Sequence, residues 1–153
     1  MADMSTKLKH KNGTALVEFA IVVTLLFVLV FGIIEFGLML KDYLSLSQAA
    51  REGARSAALG SPTSIVETRI RSSTTMLNPS RLTITLQSRT GDSGEWSALE
   101  NTSDSKYNNA ASGDQVRVSL KYTHNLVTGK MFSWIAGGGT SFNLNTDMVM
   151  RRE

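Results

Sequence analysis

Two glutamates stand inside a run of apolar residues, and their placement is the first chemistry to explain. From Thr14 to Leu40 the chain is overwhelmingly apolar, yet Glu18 lies four residues into the run and Glu35 lies near its far end. An ionised carboxylate in hydrocarbon costs a few kcal/mol unless it is paired or wetted. Glu35 falls six residues before Lys41 and reads as well as an acid at the level of lipid headgroups as it does as a functional group. Glu18 has more specific surroundings, Lys11-Asn-Gly-Thr-Ala-Leu-Val-Glu-Phe19. If the chain is cut after Gly13, Thr14 becomes the first residue and its new α-amino group is a cation. Glu18, one helical turn away, can neutralise that cation on its own chain or on a neighbour. Pairing between neighbours would set the axial register of packed helices, as a polar group in an apolar seam does.

Other chemistry is poorly represented. There is no cysteine, which excludes disulfides, thiol catalysis and Cys-based metal sites. The two histidines, His10 and His124, lie near the N-terminus and at the end of a strand-like segment, so a shared metal site is not expected. No phosphate-binding Gly-Lys-Ser/Thr loop or Gly-x-Ser-x-Gly elbow occurs, and Gly137-Gly-Gly139 reads as a linker. Asp92 with Glu95, and Glu100 with Asp104, have the oxygen ligands that Ca²⁺ takes, but ordinary surface loops carry the same pattern. Trp96, Tyr107 and Trp134 have the side chains of a sugar site and read more simply as core or sheet cover. No nucleophile–base set stands out, so the chain is not expected to be an enzyme and no cofactor is expected. The formal charge is +3, but without Lys7, Lys9, Lys11 and Asp3 the chain holds 13 basic residues against 12 acidic. The basic excess belongs to the N-terminus, and nucleic acid is not an expected partner.

The elements that must position these residues follow from patterning. The 153 residues suffice for one compact domain. A bilayer core needs about 20 apolar residues of helix, and Thr14–Leu40 exceeds that. The run is apolar around its whole circumference, which favours a membrane span over a core helix. Lys7, Lys9 and Lys11 would keep the N-terminus cytoplasmic, placing the C-terminal part across the membrane. Removal by ordinary signal peptidase is disfavoured, because the run is long and no small-x-small site follows it closely. Helix should continue through alanine-rich Leu44–Leu59 until Gly60-Ser-Pro62 stops it. Thr14–Leu59 would then form one helix of about 70 Å, with bends possible at Gly32 and Gly37. Leu46, Ala50, Gly53 and Ala57 share a face of small residues that permits close backbone approach. That face would cover either the chain's own sheet or the helices of neighbouring subunits. Arg51, Glu52 and Arg55 fall elsewhere and read as a solvated face.

Beyond Gly60 the chain is polar. Ser64–Leu77 has a weak helical pattern closed by Asn78-Pro79. Leu82, Ile84 and Leu86 alternate with polar residues as a half-buried strand does. Gly91–Gly94 is a turn, and Glu95–Ala98 a short strand around Trp96. Asn101–Gly113 is a loop, and Val116, Val118, Leu120 and Tyr122 give the clearest strand. Leu126–Ile135, with Met131, Phe132 and Trp134, is a connection. Phe142, Leu144, Met148 and Met150 lead a last strand. Antiparallel strands against a helix make an α+β module.

The N-terminal stretch resembles a type IV prepilin processing site: a short basic leader, Gly at the cut, and Glu at the fifth mature position before an apolar helix. Glu18-Phe19 resembles the Glu-Tyr or Glu-Phe pair of the Flp and Tad branch. The Phe-Thr-Leu-Ile-Glu start of type II secretion pseudopilins is absent. Gly13-Thr-Ala-Leu-Val-Glu-Phe-Ala20, Gly32-Ile-Ile-Glu-Phe-Gly37 and Gln48-Ala-Ala-Arg-Glu-Gly-Ala-Arg55 are similar to the TadE-like family, as is the closing Met148-Val-Met-Arg-Arg-Glu153. The resemblance implies a minor pilin-like subunit of a tight-adherence (Tad) pilus serving surface adhesion. A prepilin peptidase would cut between Gly13 and Thr14, with Glu18 and Phe19 serving assembly. The expected layout is a leader at 1–13, a transmembrane and amphipathic helix at 14–60, and an extracytoplasmic α+β domain at 61–153. Expected partners are membrane lipid, the peptidase and other pilin and pseudopilin subunits, with the chain in the inner membrane. The alternative is an unprocessed bitopic protein presenting an extracytoplasmic binding domain.

Overall fold

A computed structural model describes residues 5–129 and 138–153, with side chains from Gly13 onward. Expectations for Lys7, Lys9, His10, Lys11, Met131, Phe132, Trp134 and Gly137 therefore lie outside what is described. The chain divides into two units, Met1–Leu38 and Met39–Glu153. Helix α1, Ser5–Ala58, carries the apolar run. It begins earlier than Thr14, because the polar residues before Gly13 are themselves compatible with helix, and Gly13 weakens helix by only about 1 kcal/mol. In the first unit the apolar side chains stay exposed, Leu16, Leu25 and Ile33 among them.

The second unit is α+β. After α1 come α2 (Thr63–Ser73) and a single 3₁₀ turn (Pro79–Arg81). The strands are β1 (Leu82–Arg89), β2 (Ser97–Ala98), β3 (Gln115–Asn125) and β4 (Ser141–Arg151). They form one antiparallel sheet in the order β2-β1-β3-β4. Its inner face is the even-numbered residues: Leu82, Val116, Val118, Leu120 and Tyr122 are buried, and Ile84, Leu86, Leu144, Met148 and Met150 pack against them. Leu46, Ala49, Ala50, Ala54 and Ala57 of α1, with Val66 and Ile70 of α2, complete the core.

The end of α1 is fixed by several devices. Gly60, at φ +83°, takes the left-handed conformation that closes a helix at little steric cost. The amide of Ser61 donates to the Ser56 carbonyl at 3.2 Å and that of Gly60 to Ala57 at 2.9 Å, the paired bonds of a Schellman motif. Asn108, 1% exposed, then donates its side-chain amide to the carbonyls of Ala57 at 2.8 Å and Ser61 at 2.9 Å. Arg152 in turn donates to the Asn108 carbonyl at 3.2 Å and its Oδ1 at 3.3 Å.

Two elements are shorter than the pattern predicts. Helix α2 stops at Ser73 and not Leu77, because the hydroxyls of Ser73 and Thr74 donate back to the Arg69 and Ile70 carbonyls, each at 3.0 Å. Such bonds compete with helix continuation. Trp96 precedes β2 and does not sit at the centre of a strand, since only Ser97 and Ala98 pair with β1.

Candidate processing and assembly site

Gly13 and Thr14 lie inside continuous helix and are exposed, with open space where a Cβ at Gly13 would stand. Thr14 and Glu18 are four residues apart on α1, which puts them on one face a turn apart. Glu18 is exposed, as are Phe19, Leu16 and Val17 around it, and it makes no ion pair among the described residues. A shallow groove runs on along the helix between Val17, Ala20, Ile21, Thr24, Leu25 and Val28. The hydroxyl of Thr24 donates to the Ala20 carbonyl at 2.8 Å, so it adds no unsatisfied polar group to the apolar surface. Phe27 and Phe31 stack with ring centroids 6.1 Å apart. The second acid differs from the first: Glu35 is 8% exposed.

Further along α1, Ala50 and Ala57 are fully buried and Gly53 is buried. A Cβ at Gly53 would meet Ile70 Cγ1 at 2.6 Å, closer than real contacts come, so α2 packs on the bare backbone there. Of the other three residues considered on this stretch, Arg51 and Arg55 are exposed and Glu52 pairs with Arg69 of α2 at 3.4 Å. Of the acids considered for Ca²⁺, Asp92 and Asp104 are drawn into local bonds. Arg151 and Gln115 donate to Asp92, and the Arg151 bond and charge hold its carboxyl below the usual range. The Thr102 hydroxyl and the Lys106 amide donate to Asp104 and lower it likewise.

Three contacts were not anticipated from the sequence. Asp42, just beyond the apolar run, has a side chain 14% exposed and meets His124 Nδ1 at 2.8 Å. His124 continues the inward parity of Val116–Tyr122, a signal present in the sequence, but nothing there pointed to Asp42. Asn108 capping α1 from a distant loop left no local trace. Trp96 lies against two arginines, Arg117 at 4.1 Å and Arg89 at 4.7 Å from guanidinium carbon to ring centroid.

Among the described residues one helix is long and apolar enough to cross a membrane. Its most apolar window has a mean hydropathy of 2.9, and none of that window is buried. A lone exposed apolar helix leading into a small α+β unit fits a membrane-anchored, pilin-like protein. Residues 13–55 match the family model described as TadE-like protein, so the family resemblance is shown for that segment; the sheet and the closing Met148–Glu153 lie outside the match. Searches among curated proteins and among solved structures each gave no match. A TadE-like segment points to a pilin-like protein associated with a Tad pilus, and to association with the membrane and other pilus components.

Proposed function

We propose that the chain is a minor subunit of a Tad/Flp type IV pilus, cut by a prepilin peptidase between Gly13 and Thr14 and acting in assembly without catalysis of its own. The observation that carries this reading is an uncovered apolar helix whose exposed acid, Glu18, lies one turn from Thr14. An exposed carboxylate on a lipid-facing surface is unfavourable until it finds a cation. Cleavage creates that cation at the right height. With the N-terminus cytoplasmic and the α+β unit outside, the processed helix waits in the inner membrane. It then packs laterally with other pilin helices, and Glu18 on one subunit answering the amine of another fixes their register. The peptide bond to be cut lies within helix, so the peptidase must open that turn, and Gly13 is the residue that resists opening least.

The test is co-expression with the cognate peptidase followed by N-terminal sequencing, which should begin at Thr14. Any other mature start overturns the processing step. Glu18→Ala should still be cut but should fall at least tenfold in assembled pili; unchanged incorporation overturns the register role.

A further inference from the structure

The outer face of the sheet carries an arrangement that the proposed processing and register roles leave unused. Odd-numbered residues of β1, β3 and β4 point away from the core, and in register they bring Gln87 opposite Arg117 and Arg89 opposite Gln115. Each arginine donates from Nε and Nη2 to the side-chain oxygen of the glutamine opposite it. For Arg89 and Gln115 these bonds are 3.0 and 2.7 Å; Arg117 Nε reaches Gln87 at 3.0 Å and its Nη2 bonds the same oxygen. Both guanidinium groups also lie against the ring of Trp96. Cation–π contact and a hydrogen-bonded fork together hold each plane in one orientation.

Both groups that restrain the arginines are neutral. Glutamine and indole fix a guanidinium without cancelling its charge, whereas a carboxylate would do both. Among the described residues no carboxylate pairs with Arg89 or Arg117, and the Nη1 groups make no bond. The nearby acid, Asp92, is held by Arg151 and Gln115, and it feels the charge of Arg89 without pairing with it. Lys121 adds positive charge on the same face, against Asp147, while Arg151 is paired with Asp92. Two fixed guanidinium groups, neither in a salt bridge among the described residues, are a receptor for carboxylates, and having been immobilised in advance they lose little further entropy on binding.

We propose that this face binds an acidic polysaccharide, its uronate carboxylates taken by Arg89 and Arg117. Charge complementarity selects an anionic polymer. The other side chains of the face select a carbohydrate over a protein. They are short hydroxyls and amides such as Thr85, Ser119 and Asn145, with Val149 the large aliphatic one, whereas the core of a protein interface is apolar. Such a hydrogen-bonding surface suits a hydrated sugar chain.

The test uses full-length protein in nanodiscs of neutral phosphatidylcholine, probed with polygalacturonate, with neutral dextran and with polyglutamate. Polygalacturonate should bind, weaken as salt rises and outcompete dextran. Arg89→Gln with Arg117→Gln should weaken it at least tenfold and each single variant at least threefold, while Arg71→Gln on α2, the same loss of charge as one single variant, should change it less than twofold. Should the double variant melt early, Arg117→Lys keeps the charge without the planar fork and should still lose threefold or more. No binding by the unaltered protein, an equal loss in Arg71→Gln, or no loss in either arginine variant overturns the proposal. Polyglutamate binding as tightly as polygalacturonate, with the same sensitivity to Arg89 and Arg117, also overturns it and assigns the face to an acidic protein.

Discussion

Asp42 and His124 lie 82 residues apart in sequence and meet at 2.8 Å with little exposure to solvent, whereas Glu52 and Arg69 pair at 3.4 Å with both side chains nearly half exposed. The two pairs should differ sharply in worth. A hydrogen bond to a carboxylate with little exposure to solvent is worth about 2 kcal/mol, so Asp42→Ala should lower unfolding free energy by about that much. Glu52→Ala should lower it by less than about 1 kcal/mol, since water and salt screen that pair. Denaturant unfolding of both variants in the same detergent measures the contrast, and equal losses would show that the Asp42–His124 contact is not buried in solution. Asp92 behaves differently again. Its folded carboxyl is lowered, so whatever its contact with Arg151 contributes is present once the unfolded group would ionise and is lost as pH falls through the carboxylate range.

At the scale of elements, α1 packs its second half so closely that single atoms matter. Ser56 Oγ is buried without a hydrogen-bond partner among the described residues. Ser56→Ala should therefore raise unfolding free energy by about 1 kcal/mol, by removing an unsatisfied hydroxyl and by improving helix propensity; a loss measured by thermal unfolding would mean that the hydroxyl is bonded. The periodicity of small residues at Leu46, Ala50, Gly53 and Ala57 was legible because it follows from 3.6 residues per turn, and so was the alternation of β3 and β4. The sequence left open whether that small face served the chain's own sheet or a neighbour; Gly53 sits against Ile70 within one chain. What was not legible depends on contacts distant in sequence. Nothing local to Asn108 marks it as a helix cap, and nothing local to Trp96 tells that strand register will bring Arg89 and Arg117 beneath it. The early stop of α2 was readable in principle from its serine and threonine run, whose hydroxyls compete for helix carbonyls.

Taken whole, the molecule leaves the apolar first half of α1 uncovered by its own chain. Full-length protein should stay with membranes through an alkaline wash. Leu25→Lys, at the middle of the run, should make insertion less favourable by about 3 kcal/mol. Quantifying the membrane-inserted fraction of both forms checks this, and release of the unaltered chain by the wash would contradict it. The same continuous helix links the amino end to the motif at Gly60, where Asn108 grips the final carbonyls and Arg152, one residue from the carboxyl terminus, grips Asn108. When a helix of this kind is hauled lengthwise out of a bilayer, tension enters the folded unit where α1 joins the core, from Leu46 on, and the motif at Gly60 closes the far end of that contact. Arg152 thereby acts as a rivet, tying the segment after β4 through Asn108 to the last turn of the rod.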